Sequence, residues 1–378
     1  MQINYEKRIF GLDLMRAIAI IMVVCSHTLW IVPDARGVIP DVLSISGVMG
    51  VEIFFVLSGF LIGRILYKMY VSKSFEFKDI FYFWVRRWFR TLPNYYLVLL
   101  LNIIIAIYLG NHLPDNVWKY FFFLHNFSTQ MPWLFAESWS LSIEEFAYIL
   151  GPLLLYLVLL FKTKYSRSNL FLWITLLILL IFLITKLVYN QFETIQDMRH
   201  WTINVKAIVI YRIDAIYYGV LAAYISILYA NFWKKIQYGA FILGVLIFFG
   251  INIYIPMKQL FITNYPMFWN VWYFLIKSFA IVLVLPLLSQ IRYAPKAVKI
   301  LITHISILSY AIYLLHYSIV MQLLKYFIPS ENLAGFDIFV YIVVYLLITI
   351  TLSYTLYRLY EKPMTDLRDS EKIKNYFK

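Results

Sequence analysis

Long apolar stretches alternate with short polar segments along nearly the whole chain of 378 residues. Each apolar stretch is close to the roughly 20 residues that a helix needs to cross a bilayer. Strands of that length are rare, so the pattern indicates helices. It predicts ten membrane spans, at residues 9–31, 47–69, 91–109, 143–161, 169–189, 203–229, 236–255, 267–288, 304–327 and 336–360. The predicted fold is therefore an all-α, polytopic bundle of about ten transmembrane helices.

Composition supports a single membrane domain over residues 1–378. The chain is 62% apolar and only 14% charged, which leaves too little polar surface to cover a soluble domain of this length. The first apolar run is too long for a cleaved leader, so we predict an uncleaved first helix. Residues 361–378 are rich in charge and are predicted to form a cytoplasmic tail. One cysteine, Cys25, excludes an intramolecular disulfide.

The net charge of +13 does not indicate a nucleic-acid partner, because the basic residues lie in short segments between the apolar runs. This distribution is typical of topology signals and of contact with anionic lipid. Lys and Arg concentrate in every second loop, so both termini are predicted to face the cytoplasm. The basic segments are residues 7–8, 73–90, 162–167, 234–235, 292–299 and 362–378.

The predicted outer loop at 110–142 is too long for a plain turn and is rich in aromatic residues, including Trp118, Trp133 and Trp139. Two interpretations stay open. The loop could form an aromatic belt at the membrane interface. Alternatively, it is a partly re-entrant lid over an outward-facing site, where aromatic faces stack on sugars.

Charged residues inside spans cost about 2.5–3.5 kcal/mol each on insertion scales, so each requires an explanation. Arg16 and His27 lie eleven residues apart in the first span, which places them on one face about 16 Å apart. Arg16 could instead extend to the inner interface, and His27 could be a packing residue. Glu52 enters the membrane at about the depth of His27. A carboxylate beside an imidazole fixes its tautomer and strengthens it as a base, so we predict a Glu52–His27 pair.

Arg87 and Arg90 share a helix face at the predicted inner interface. Their guanidinium groups suit phosphate oxygens, although anchoring on anionic lipid is an alternative. Arg212 should need a buried carboxylate, and Glu144 and Asp214 are the candidates. His316 stands alone on an apolar helix and is expected to be a hydrogen-bonded core residue more often than a catalyst. No metal site is predicted.

Together these motifs resemble the acyltransferase-3 family of bacterial membrane O-acyltransferases, in its membrane-domain-only form. The resemblance covers nearly the whole chain. Each motif is weak alone, but all seven occur in order. They are Arg16-x10-His27, the stretch at 50–60 with Glu52, Arg87-Trp88-Phe89-Arg90, the stretch Trp139 to Glu145, Arg212-Ile213-Asp214, the run Tyr310 to His316, and Glu361-Lys362-Pro363.

The resemblance implies acyl transfer, usually of acetyl, from cytoplasmic acetyl-CoA to a hydroxyl of an envelope or exported carbohydrate, in the bacterial cytoplasmic membrane. Within this reaction we hypothesise that His27 is the general base or a transient acyl carrier, oriented by Glu52. Arg87 and Arg90 would hold the CoA phosphates, and Arg16 would either bind the pantetheine-phosphate region or hold the pathway open. Further members of the substrate or structural polar network are Trp139, Glu144, Arg212, Asp214 and His316.

Two other functions stay open. A transporter or flippase for glycans or lipid-linked sugars would line its pathway with the same charges and perform no chemistry. A membrane glycosyltransferase would favour an acidic site in the first outer loop, where Asp34 and Asp41 lie without other ligands.

Overall fold

The computed structural model describes residues 8–72, 75–161, 164–330, 333–371 and 373. Parts of the predicted basic segments, among them Lys7, Lys73, Lys162 and the tail at 372 and 374–378, lie outside the described residues. In the described part the regular secondary structure consists of helices only, with no strand, which confirms the all-α prediction.

The helices follow one another with short connections. In chain order they are α1 (Phe10–His27), α2 (Val38–Val71), α3 (Phe77–Tyr108), α4 (Trp118–Phe121), α5 (Ser138–Leu159), α6 (Arg167–Phe192), α7 (Met198–Trp201), α8 (Val209–Arg212), α9 (Asp214–Leu228), α10 (Ala230–Lys235), α11 (Gln237–Met257), α12 (Tyr273–Leu288), α13 (Lys296–Leu315), α14 (Gln322–Phe327), α15 (Phe336–Leu356) and α16 (Lys362–Leu367).

Several helices are joined end to end by π-helical segments, which are wider turns that often occur at functional sites. Within the described residues these segments are Thr202–Lys206, Phe268–Trp272, His316–Met321 and Tyr357–Glu361. A short 3-10 turn, Thr28–Trp30, ends α1.

Nine helices in the described chain are long and apolar enough to cross a membrane, and a bent helix pair brings the number to ten. The prediction of a polytopic bundle of about ten spans is thus confirmed. Three predicted boundaries differ. The structure extends α2 back to Val38 and α3 back to Phe77, so Arg87 and Arg90 lie within a 32-residue helix rather than in a loop. Glu361, expected to begin a free tail, is 7% exposed and accepts a hydrogen bond from Asn94 at 2.7 Å.

The predicted sixth span, 203–229, is not one straight helix. Residues Met198–Lys206 and Val209–Leu228 meet at an angle of 92°. A break leaves backbone groups without partners inside the helix, and these must be satisfied elsewhere. Asn126, in the loop before α5, supplies partners: its side-chain amide donates to Ala207 O at 2.5 Å, and its backbone carbonyl oxygen accepts from Val209 N at 3.0 Å.

The aromatic loop therefore packs into the bundle. Tyr120, His125 and Phe135 in this loop are at most 2% exposed, whereas Trp118 and Trp133 are more than half exposed. The loop is shorter than predicted, since α5 begins at Ser138.

Close contacts between α2 and α9 depend on small residues. A Cβ atom added at Gly59 would collide with the carbonyl oxygen of Ile216, and one at Gly219 would collide with that of Val56. Small residues allow helices to approach closely in membranes, where dispersion contacts replace the hydrophobic effect as the driving force. This packing holds α2 at the centre of the bundle, against α1, α9 and α12.

Candidate functional site

Two cavities lie next to each other inside the bundle. The first, here called the arginine chamber, contains about 850 Å³ of space free of protein atoms, including its open part, and is lined by Arg16, Arg87, Arg90 and Glu144. The second, the histidine chamber, contains about 1690 Å³ on the same measure and is lined by His27.

The arginine chamber collects positive charge from two helices. Arg16 comes from α1, and Arg87 and Arg90 come from α3. Arg16 is also held at one side, because its Nη1 lies 3.3 Å from Ser306 Oγ and 3.8 Å from Asp13 Oδ1. The guanidinium carbon of Arg87 lies 5.8 Å from the centre of the Tyr148 ring.

The arginine chamber can accept a strongly anionic ligand. Arg87 and Arg90 make no ion pair among the described residues, and Glu144 is the only carboxylate in the chamber lining. Three guanidinium groups face Glu144 in the lining and Asp13 beside Arg16, which still leaves net positive charge. Guanidinium forks match phosphate oxygens in geometry and charge. The structure thus brings together the three arginines that the sequence selected.

His27 ends α1 in the histidine chamber and is paired with another histidine. Its Nδ1 lies 2.8 Å from Nε2 of His316, and the ring of Tyr317 lies 4.8 Å from the ring of His27, centre to centre. His316 is 0% exposed, and its Nδ1 lies 2.8 Å from the carbonyl oxygen of Tyr313.

These contacts assign the protons when both rings are neutral. A carbonyl oxygen only accepts, so Nδ1 of His316 carries the proton and its Nε2 has the lone pair. His27 must then donate from its Nδ1 to that lone pair. Nε2 of His27 is left with a lone pair and can act as a base.

Glu52 does not contact His27, so that predicted pair is wrong. The Glu52 carboxylate forms an ion pair with Arg212, and its other oxygen lies 3.4 Å from Ser278 Oγ. Arg212 is 0% exposed and its guanidinium carbon lies 3.3 Å from the centre of the Phe274 ring. A buried guanidinium without a carboxylate would be very costly, which is the physical reason for this pairing.

The partners expected for Arg212 are also wrong. Asp214 pairs instead with Lys186, and Glu144 lines the arginine chamber. His316, expected to be mainly a core residue, takes the place beside His27 that was predicted for Glu52. Asp34 and Asp41, the acidic residues of the first outer loop, do not line either chamber.

Glu137 is a polar residue of the site that the sequence reading missed. It is 3% exposed, and its Oε1 accepts the backbone N–H groups of Tyr317 at 3.2 Å and Ser318 at 2.7 Å. Both groups belong to the π-helical segment that begins at His316. Burial raises the pKa of Glu137 to about 7, although these two hydrogen bonds favour its charged form. Its position before the Trp139 motif was the sole sequence signal.

Lys206 and Arg199 also line the histidine chamber. The Nζ of Lys206 lies 5.1 Å from the centre of the Trp139 ring. Trp139 itself, a predicted site residue, lines the chamber and packs edge-on against Phe55.

Val51 and Tyr313 line both chambers, so the two cavities adjoin at these residues. The hydroxyl of Tyr313 is fixed 2.7 Å from Ser140 Oγ and 3.2 Å from the carbonyl oxygen of Glu137. Val51 and Tyr313 therefore form the boundary between the chamber with the arginines and the chamber with His27. Among the described residues no group of three or more His, Cys, Asp or Glu side chains is arranged to hold a metal ion.

Sequence comparison finds similar proteins that are named as peptidoglycan O-acetyltransferases. Over 196 residues the chain is 32% identical to YrhL of Bacillus subtilis, which carries the provisional name of a peptidoglycan O-acetyltransferase; the alignment covers 47% of this chain and 28% of YrhL. Over 165 residues it is 30% identical to the peptidoglycan O-acetyltransferase OatA of Listeria monocytogenes, covering 39% of this chain and 24% of OatA.

The chain thus aligns with less than a third of the length of these relatives. No solved structure matches it significantly. The sequence profile described as "Acyltransferase domain" matches residues 9–358, which is nearly the whole chain. The chain therefore belongs to the acyltransferase-3 family of membrane proteins, as its motifs indicated.

Proposed function

We propose that this protein transfers an acyl group, acetyl in the first instance, from acyl-CoA bound in the arginine chamber to a carbohydrate hydroxyl bound in the histidine chamber. The observation that carries the proposal is the junction at Val51 and Tyr313. A cationic cavity and a cavity containing a free base adjoin there inside one membrane protein of an acyltransferase family.

The donor end of the site is suited to CoA because Arg16, Arg87 and Arg90 can meet its phosphate groups. The thin pantetheine arm would then extend toward Val51 and Tyr313. Arg16 and His27 are separated by about 16 Å along α1, so the arm has to cross about half of the hydrocarbon thickness. This arrangement allows the thioester to approach the base without a relay.

At the acceptor end, Nε2 of His27 removes the proton from the hydroxyl as its oxygen attacks the thioester carbonyl. The tetrahedral intermediate then collapses, the C–S bond breaks, and the imidazolium returns the proton to the departing thiolate. General-base help of this kind contributes about 10²–10⁴-fold in rate. His316 stabilises the forming imidazolium by accepting from its Nδ1–H.

A second route uses the same residues. His27 would first take the acyl group and release CoA, and the hydroxyl would then attack the acyl-imidazole. We favour the direct route, because the two chambers share the lining residues Val51 and Tyr313 and the two substrates would meet there.

For the acceptor we propose a cell-envelope glycan, since the relatives named above are peptidoglycan O-acetyltransferases. The aromatic faces of Trp30, Trp133 and Trp139 in the histidine chamber suit the apolar faces of sugar rings. We also propose that both termini lie in the cytoplasm of the bacterial cell, which places the arginine chamber on the side where acyl-CoA is made.

The proposal is tested with the purified full chain in lipid nanodiscs, labelled acetyl-CoA and glycan fragments. We expect labelled glycan and free CoA in equal amounts, and we expect His27→Ala to abolish both. His304→Ala is the control, since His304 lies on α13 but does not line either chamber. A glycan transporter without chemistry would move glycan and consume no acetyl-CoA. Acetyl transfer by the His27→Ala variant at the wild-type rate would contradict the assignment of His27 as the base.

A further inference from the structure

We infer that the histidine chamber contains a binding site for an anionic group, a carboxylate or a phosphate, on the acceptor glycan. Lys206 forms the site and Arg199 assists it. The inference rests on the proposed function, because it assigns the class of acceptor that the same chamber would take.

Lys206 occupies a fixed position rather than a mobile loop. It is the last residue of the π-helical segment Thr202–Lys206, directly before the 92° break in the sixth span. The next residue, Ala207, is 3% exposed; its N–H donates to Thr202 O at 3.1 Å, and its carbonyl oxygen accepts from Asn126. The break therefore presents this lysine to the chamber.

The charge of Lys206 is not neutralised by any carboxylate of the described chain. Its one described side-chain contact is with the ring of Trp139, which orients an ammonium group but leaves its N–H donors available. Glu52 lies in the same region, but Arg212 takes its carboxylate, and Asp214 is paired with Lys186.

Among the described residues, Glu137 is the only carboxylate in the lining of the histidine chamber. Two backbone N–H groups of the π-helical segment occupy its Oε1. One carboxylate can balance at most one of the two cations, Lys206 and Arg199, so the chamber keeps a net positive charge.

Arg199 adds a second cation at the more exposed part of the chamber. It lies seven residues before Lys206, about two helical turns away, and both line the same cavity. Arg199 is exposed and makes no ion pair among the described residues. Trp133, 55% exposed, also lines this cavity and can stack on a sugar next to the anionic group.

The location distinguishes this site from the donor site. The CoA phosphates belong with the arginines on the far side of Val51 and Tyr313, whereas Lys206 shares its chamber with the proposed base, His27. A neutral sugar would leave Lys206 desolvated without a partner. An acidic sugar would form charge-assisted hydrogen bonds with it, which are about twice as strong as neutral ones.

The test measures binding, which does not depend on transfer. The full chain in nanodiscs is titrated with four matched tetramers of N-acetylglucosamine: unmodified, carrying one carboxylate, carrying the primary amide of that carboxylate, and carrying one phosphate ester. We expect the wild type to bind the carboxylated or the phosphorylated tetramer at least about tenfold more tightly than the neutral ones. The tighter of the two anionic tetramers then identifies the source of the anion.

Variants show whether Lys206 causes the preference. Lys206→Gln should bring the ratio of anionic to neutral affinity close to one, and Lys206→Arg should keep most of it. Lys258→Gln is the matched control, since Lys258 is exposed and does not line the chamber. Lys258 lies at the same end of the bundle as Lys206, because their near neighbours along the chain, Ile262 and Val205, belong to one hydrophobic cluster. Equal affinities in the wild type, or an unchanged ratio in Lys206→Gln, would overturn the inference.

Labelled acetyl-CoA added to the same samples separates this inference from the proposed function. A preference for the anionic tetramer with no acetyl on any tetramer would support the anion site and overturn the acyl transfer. Transfer to all tetramers with equal affinities would support the acyl transfer and overturn the anion site.

Discussion

The proposed base, His27, is hydrogen-bonded to the ring of His316. Its Nδ1–H has one side-chain acceptor in the described structure, Nε2 of His316, and that acceptor is fixed by the backbone carbonyl of Tyr313. In the proposed mechanism His316 is the partner that sets the tautomer of the base. This partner is neutral, so it would orient His27 without adding negative charge to an apolar environment.

His316→Ala is the first prediction at this scale. Loss of the acceptor should allow the wrong His27 tautomer and lower kcat about 10–100-fold, as for other orienting partners. The KM for acetyl-CoA should hardly change, because His316 does not line the arginine chamber. Steady-state kinetics with His304→Ala as the control would check this. A rise in KM with an unchanged kcat would contradict the positioning role.

Glu52 gives the second prediction, because the structure assigns it to Arg212 rather than to His27. Glu52→Gln would leave a buried guanidinium without its counter-charge, which costs about 3–5 kcal/mol in the free energy of unfolding. Thermal unfolding in detergent should show a large fall in the melting temperature. Adding Arg212→Met should recover much of that loss. A stable Glu52→Gln protein that has lost only activity would instead favour the original Glu52–His27 pair.

At the scale of elements, the π-helical segment His316–Met321 holds the site together. Glu137, just before α5, accepts two of its backbone N–H groups and so joins the start of α5 to the end of α13. A wider turn displaces the usual helix hydrogen bonds, and this carboxylate satisfies the groups that are displaced.

Glu137 also gives a pH prediction. Its pKa in the folded protein, about 7, is above its ordinary value of 4.5, so the folded state binds the extra proton between these values. The contribution of Glu137 to stability must therefore fall as pH rises from about 4.5 to about 7. Glu137→Gln keeps an acceptor oxygen but cannot ionise. Its melting temperature should therefore rise relative to that of the wild type as the pH increases from about 4.5 to about 7. A constant difference between the two proteins would contradict the buried, protonated carboxyl.

The sequence predicted the membrane-spanning helices better than it predicted which side chains pair inside the bundle. Apolar runs of about 20 residues can only be spans, and an eleven-residue spacing puts Arg16 and His27 on one face whatever surrounds them. The break after Lys206 could not be predicted, because Ala207 and Ile208 are apolar and the residue that makes the break possible, Asn126, is 81 positions away from Ala207.

Ion pairing inside the bundle was equally hidden from the sequence. Glu52 and Arg212 are separated by 160 residues, and several buried acids compete for the same cation. The depth of each residue in the membrane, which the sequence indicates, reduces the number of possible partners for Arg212. It does not determine how each helix is rotated about its axis, and that rotation decides which side chains meet. The shared position of Arg87 and Arg90 was predictable for the opposite reason, since they are neighbours on one helix.

At the scale of the whole molecule, the proposal requires a donor at one end of α1 to react at a base near the other end. The two chambers share the lining residues Val51 and Tyr313, where the proposed donor and acceptor would meet. The small residues that let α9 approach α2 keep the helix that carries Val51 in the centre of this site.

The most direct test of this account blocks the junction with Val51→Trp while leaving both ends intact. We predict that the variant binds CoA and glycan with affinities close to those of the wild type, whereas acetyl transfer falls about 100-fold or more, as expected when reacting groups are held apart. Val71→Trp is the control, because Val71 lies on the same helix, is 37% exposed and lines neither chamber. Normal transfer by Val51→Trp, with both substrates still bound, would contradict passage of the acyl group between the two chambers.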